Sequence, residues 1–230
     1  MDILRSSLIV ILLVSWGLYL LGARAFAEPE EFGRYPVCEP SAAAKMTCPG
    51  SEGSCLLVGD NESDDTLFLY PVKSGKLDSA AQTELGLGTL EIDDIEAVAK
   101  LDEHRVLIMG SHSRNKECET KRKRRRFVQA RVMRDKLEPI GPMIESPEIN
   151  AKDLLGEVDL ASNEKLAILS RAIDDAEARA DQAEGDETAC NKVNAFNMEG
   201  AVAISESASS PEVWIGLRSP LDTFNIYHEA

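Results

Sequence analysis

Residues 93–114 read DDIEAVAKLDEHRVLIMGSHSR, and this stretch decides the fold. Glu91 to Ala99 leads through Lys100-Leu101-Asp102-Glu103-His104 into a second strand-like run, Arg105 to Gly110. Two strand-like runs around a polar turn make an antiparallel hairpin. Residues 196–220, FNMEGAVAISESASSPEVWIGLRSP, repeat the same order. Asp94-Ile95-Glu96-Ala97 aligns with Asn197-Met198-Glu199-Gly200, and Gly110 aligns with Gly216. Polar or basic residues follow each glycine: Ser111-His112-Ser113-Arg114 in one copy, Leu217-Arg218-Ser219-Pro220 in the other. Hairpins recurring at long spacing point to a propeller or a solenoid.

Further strand-like runs flank this pair. Ser54 to Gly59 and Thr66 to Val72 enclose the acidic turn from Asp60 to Asp65. Turns favour Asp, Asn and Ser for backbone reasons, and this one lacks the alternating frame of a Ca²⁺ loop. Asn61-Glu62-Ser63 matches a glycosylation triplet. Arg126 to Met133 reads as another strand. Around residues 150–185 the pattern changes. Leu166, Leu169, Ile173, Ala176 and Ala180 recur at steps of three and four, which is one face of a helix. Gly185 offers its stop. After Ile173 that face is alanine alone, so its last turns are expected to pack weakly. The acidic residues opposite are expected to be solvated. The expected architecture is mainly β, with propeller-like repeated hairpins and a helical insertion.

Residues 8–21, LIVILLVSWGLYLL, are apolar but short of the ~20 residues that span a bilayer core as a helix. Ala25-Phe26-Ala27 follows, so residues 1–27 read as a secretory signal peptide cut before Glu28. The chain is then exported to a periplasm or the outside; the alternative is a membrane anchor at residues 8–21. Residues 28–53 look irregular, and the domain proper is expected over 54–230. Five cysteines occur, at 38, 48, 55, 118 and 190. In an oxidising compartment a disulfide stapling the early segment is expected, and Cys38–Cys48 is the simplest pairing. Zinc would want two close pairs, which these spacings do not supply.

The 230 residues carry 40 acidic against 25 basic side chains, a net charge of −15, and 43% are hydrophobic. That suffices for a packed core and disfavours disorder or a coiled coil. An acidic chain is also a poor general binder of nucleic acid. Lys121 to Arg126, KRKRRR, is the exception, in a stretch (residues 105–136) with 12 basic and 3 acidic side chains. A basic run of this kind can reach an anionic lipid surface after export. The expectation here is an exposed loop, paired with the acidic helix.

The chain resembles an uncharacterised family of bacterial proteins, known only as a domain of unknown function and predicted to be propeller-like. The resemblance rests on CLLVGDNESDDTLFLYPV, DIEAVAKLDEHRVLIMGSHSR, and NMEGAVAI with WIGLRSPL, between residues 55 and 221. More distantly, the Asp/Asn-x-Glu-Gly hairpin is similar to those of phytase-like, gluconolactonase-like and arylesterase-like β-propellers. That similarity implies that a strand-start glutamate can ligate a divalent cation in a central channel. Ala97 stands where the motif has glycine in the first copy. A closed six-bladed propeller takes about 240 residues, more than this chain has beyond its leader, so the expected propeller is incomplete or closes differently.

Three groups are candidates for chemistry. Glu96 and Glu199, with Asp94 and Asn197, offer oxygen ligands suited to Ca²⁺ or Mg²⁺; the alternative is that such a glutamate bonds neighbouring backbone. His112 is the candidate acid or base, and Arg114 and Arg218 are the candidate contacts for an anionic substrate. With a metal this set would fit phosphoester or lactone hydrolysis. No nucleophile elbow, P-loop or HExxH pattern occurs. The expected function is an exported binding module for an anionic small molecule or a protein partner. A metal-supported hydrolase and a polybasic surface anchor are the alternatives.

Overall fold

A computed structural model of the chain describes residues 37–145, 164–204 and 212–219, apart from 38, 62, 64 and 65. The leader at 1–27, the apolar run 8–21, Cys38, Glu62 of the glycosylation triplet and residues 150–163 of the expected insertion lie outside the described residues. All described residues belong to one unit, Gly33–Ala230.

The chain is mainly β, in three successive antiparallel units. The first holds β1 (Pro40–Thr47), β2 (Ser54–Asp60), β3 (Thr66–Lys73), β4 (Lys76–Leu77) and β5 (Thr83–Gly86). Its strand order is β1-β2-β3-β4, with β5 also on β3. The second holds β6 (Ile95–Lys100), β7 (Arg105–Gly110), β8 (Arg126–Val132), β9 (Leu137–Pro139) and β10 (Ile144–Glu145). Its order is β10-β8-β7-β6, with β9 also on β8. Two helices follow, α1 (Glu164–Gln182) and α2 (Glu187–Cys190). The hairpin of β11 (Asn197–Ile204) and β12 (Glu212–Ser219) closes the series.

β1 was not legible as a strand. Residues 28–53 read as irregular, yet Pro40–Thr47 pairs with β2 along its length. Its side chains alternate between buried Ala42, Ala44 and Met46 and exposed Ala43 and Lys45. The period of two was present, but alanine carries too little hydrophobicity to announce it. β6 packs against both β1 and β11, and β1 shares with them a skipped residue near its start, so it is read as a further copy of the repeat.

The ladders fix the equivalence of the three copies. Each first strand skips one residue near its start: Ser41 between Pro40 and Ala42, Glu96 between Ile95 and Ala97, Glu199 between Met198 and Gly200. Ala97 then faces Met109, while Gly200 faces Gly216. Gly216 is therefore equivalent to Met109 and not to Gly110, which corrects the sequence alignment by one residue.

Alternation within the strands sends opposite faces into different cores. Ala42, Ala44 and Leu57 of the first unit meet Val98, Val106, Ile108 and Val128 of the second. The other face of the second unit, with Ala97 and Met109, meets Met198, Phe196 and helix residue Ile173, with Leu107, Phe127, Ala201 and Leu217 around them. Fully burying each of the larger aliphatics contributes about 1.5–3 kcal/mol.

The helix corrects two expectations. Its alanine end is not loosely packed: Ala176 and Ala180 are fully buried, and Ala180 and Ala183 lie on Cys118 in a small cluster with Cys190 and Val193. Small side chains permit this close approach. Cys118–Cys190 is a disulfide that ties the loop after β7 to α2. The other disulfide is Cys48–Cys55, closing the β1–β2 turn, so the expected Cys38–Cys48 pairing is wrong. Cys48 directly follows β1 and Cys55 lies near the start of β2, opposite Met46, so the disulfide runs diagonally across the turn, an arrangement that spacing alone did not reveal.

Candidate functional site

Gly110 ends β7 under the carbonyl oxygen of Arg124, where a Cβ would sit only 2.4 Å away. That close approach is what requires glycine. The chain then turns through Ser111-His112-Ser113-Arg114, with His112 at φ 57°. Ser111 N–H donates to Asp94 O at 2.8 Å, and Ser111 O accepts from Met198 N–H at 2.8 Å. The loop thereby joins the second and third units.

Asp94 gathers this loop. Its carboxylate accepts from the hydroxyls of Ser111 and Ser113 and pairs with Arg124 at 3.3 Å. Arg124 Nη1 also donates to Ser113 Oγ at 2.9 Å and Arg114 O at 3.0 Å. The Asp94 carboxylate is thus engaged with neighbouring side chains of the fold.

His112 is fully buried. Its Nδ1–H donates to Gly110 O at 3.0 Å and its ring lies 4.4 Å from that of Phe127. Burial, aided by the Arg125 charge and opposed by the Gly110 bond, lowers its pKa to about 4. The ring is therefore neutral at pH 7. It shapes the loop from inside and is not placed to exchange protons with a ligand.

Arg114 is also turned inward. Its side chain is 6% exposed, and Nε and Nη2 donate to Glu177 Oε2 at 3.1 and 2.9 Å. Nη2 also reaches Asp181, and Nη1 donates to Cys118 O at 3.0 Å. The other oxygen of Glu177 accepts from Phe196 N–H at 3.1 Å. Glu177 was expected on a solvated face; instead it is buried and holds α1 to two loops.

Glu96 and Glu199, both freed from the ladder by their bulges, feel each other's charge. Burial raises the pKa of Glu96 to about 7, with Asp94 and Glu199 adding to the rise and Arg218 and Arg124 opposing it. Arg218 is likewise skipped in the ladder between Asn197↔Ser219 and Met198↔Leu217. It pairs with Glu199 at 2.8 Å, and Asn197 Nδ2 donates to the same oxygen at 3.1 Å. At the equivalent position in the first unit, Ser41 Oγ donates to Ile95 O. Among the described residues no group of three or more His, Cys, Asp and Glu side chains is placed to hold a metal ion.

Of these residues Ser113, Arg114, Arg124, Asn197 and Arg218 line a cleft of about 650 Å³, whereas Asp94, Glu96, His112 and Glu199 do not. Its walls carry Arg114, Arg124 and Arg218, with Ser113, Asn194 and Asn197 between them. Sequence reasoning named Arg114 and Arg218 but missed Arg124, which was submerged in the basic run. That run is exposed at Lys121 and Arg122, as expected, but its partners are not on the helix. Arg122–Arg125 form a 3₁₀ turn, and each basic side chain from 121 to 126 has a local partner. Lys121 pairs with Glu119, Arg122 and Arg126 with Glu145, and Arg126 also with Glu91. Lys123 lies 4.0 Å from Glu91 and Asp93. Arg125 is buried and donates to Thr120.

The volume lies within the ~300–1,000 Å³ usual for small-molecule sites. Two intrachain disulfides are the chemistry of an oxidising, exported environment. Among the described residues no helix is long and apolar enough to cross a membrane. No family model, curated protein or solved structure matches the chain.

Proposed function

We propose that this protein is a binding module of an exported compartment, built of blade-like β units, that takes a small anionic molecule in the cleft between Arg124 and Arg218. One observation carries the reading: two partly exposed guanidinium groups border one cleft. Each is held in place by a carboxylate that uses only part of its donor fork. A guanidinium so anchored presents its remaining N–H groups in a fixed plane, suited to a carboxylate or phosphate. Titration calorimetry with inorganic phosphate and with small mono- and dicarboxylates tests it. Saturable binding that falls at least about tenfold in Arg218→Ala and in Arg124→Ala supports the reading. Equal affinity in both variants, or no binding of any probe at millimolar concentration, overturns it.

Glu96 is outside the cleft lining but within charge range of Arg124 and Arg218 on it, and this favours a second reading, hydrolysis of such a ligand. A carboxyl with a pKa near 7 exchanges protons readily at neutral pH. Glu96 would then be the acid or base, in place of His112. Loss of turnover with retained binding in Glu96→Gln would separate this reading from simple binding. The polybasic anchor draws less support, because the charges of residues 121–126 are compensated within the fold.

A further inference from the structure

In the first two units the second strand carries a third on its outer edge: β3 on β2, and β8 on β7. In the third unit, β12 pairs only with β11 among the described residues. The same hairpin exposes most of the large apolar surface: Val202 (55%), Ile204 (46%), Trp214 (59%) and Ile215 (42%). Val202 and Trp214 face each other across the ladder, with Ile204 one alternation away. An apolar, unpaired edge strand is a template for another strand.

We propose that β12 pairs antiparallel with β12 of a second copy, giving a two-fold dimer with a continuous four-stranded sheet. The sequence of β12, EVWIGLRS, is complementary to its own reversal about Ile215. Ile215 then meets Ile215 of the other copy, and Val213 meets Leu217. Trp214 lies opposite Gly216, whose missing side chain leaves room for the indole. Aromatic–glycine pairing of this kind is known to stabilise sheets. Glu212 lies opposite Arg218, so opposite charges close both ends of the strand pair. Glu212 is exposed, and Arg218 pairs with Glu199 through one nitrogen, Nη1. A two-fold axis repeats every contact, as an isologous interface requires. The dimer shares Arg218 with the proposed cleft but needs no ligand there, so its test is run without added anion.

Sedimentation equilibrium of the full chain, from 1 to 100 µM, tests it. The expected result is a monomer–dimer equilibrium in that range. Glu212→Arg places arginine opposite Arg218 twice per dimer and is expected to raise the dissociation constant at least about tenfold. The double variant Glu212→Arg with Arg218→Glu restores the pairing and is expected to return it to near the original value. Trp214→Ala weakens the dimer without changing its charge response. A chain that stays monomeric throughout overturns the proposal. So does a dimer indifferent to Glu212→Arg, or one the double variant fails to rescue. Should removal of residues 220–230 convert a monomer into a dimer, that segment and not a second copy occupies the edge.

Discussion

Replacing Glu177 by alanine tests how the helix is held. Glu177 is 7% exposed and its two oxygens serve two loops, Oε2 the Arg114 guanidinium and Oε1 the Phe196 N–H. Its removal leaves a nearly buried cation short of its main partner and a buried N–H with no acceptor. Breaking a buried ion pair costs about 3–5 kcal/mol, and an orphaned buried N–H about 1–3 kcal/mol. These are not additive here, because Asp181 still pairs with Arg114 from a 66% exposed position. The expected loss is therefore about 3 kcal/mol, or about 6–12 °C in melting temperature for a domain of this size. Urea unfolding of wild type, Glu177→Ala, Arg114→Met and the double variant completes a cycle. The double variant should be less destabilised than the sum of the singles by about 2 kcal/mol, since removing both charges leaves neither unpaired. Lys73→Ala, which breaks a pair whose lysine is 74% exposed, is the control and should leave stability unchanged. A change in Glu177→Ala as small as that control, or an additive cycle, would refute the reasoning.

Glu96 and His112 make opposed contributions to pH dependence. The folded pKa of Glu96 is raised from its ordinary 4.5 to about 7, so the folded state holds the extra proton and stability falls as pH rises through that window. That of His112 is lowered from 6.5 to about 4, so the unfolded state holds the extra proton and stability rises with pH from about 4 to 6.5. Wild type should show a shallow profile between pH 4.5 and 6.5, whereas Glu96→Gln should rise with pH there and exceed wild type in stability at pH 8; denaturant midpoints across pH measure both. Loss of Cys118–Cys190, which closes a separation of 72 residues, should cost about 4 kcal/mol by loop entropy. Loss of Cys48–Cys55, at a separation of 7, should cost about 2.4 kcal/mol, so in thermal melts the first disulfide variant should be the weaker protein. Gly110→Ala should destabilise by at least about 2 kcal/mol, because the new Cβ meets backbone at 2.4 Å, while Gly86→Ala enters open space and should change the melt far less.

Much of the strand framework was readable because short continuous apolar runs such as RVLIMG and TLFLYPV end at polar turns. The repeat was readable for the same reason, along with the two glutamates at equivalent bulges. β1 escaped because alanine signals burial weakly. Arg124 escaped because a sequence run gives six basic residues the same standing, and only packing against Asp94 and Ser113 singles one out. His112 read as a catalytic group because histidine titrates near neutrality in water; burial against Phe127 removes that property.

The sequence alone determined an acidic, mainly β chain with hairpins recurring around Glu96 and Glu199, a helix between them, and enough cysteines for an oxidising environment. These are local facts, written in composition, periodicity and turn chemistry. Tertiary structure decided which cysteines meet, that the alanine end of the helix is buried, and that Arg114 serves the helix while Arg124 and Arg218 border the cleft. It also decided that the basic run meets partners close by, among them Glu91, Asp94, Glu119 and Glu145. Most of these depend on groups far apart in the chain, such as Cys118 with Cys190 and Arg114 with Glu177, and on which face of a strand is enclosed, which no local pattern records.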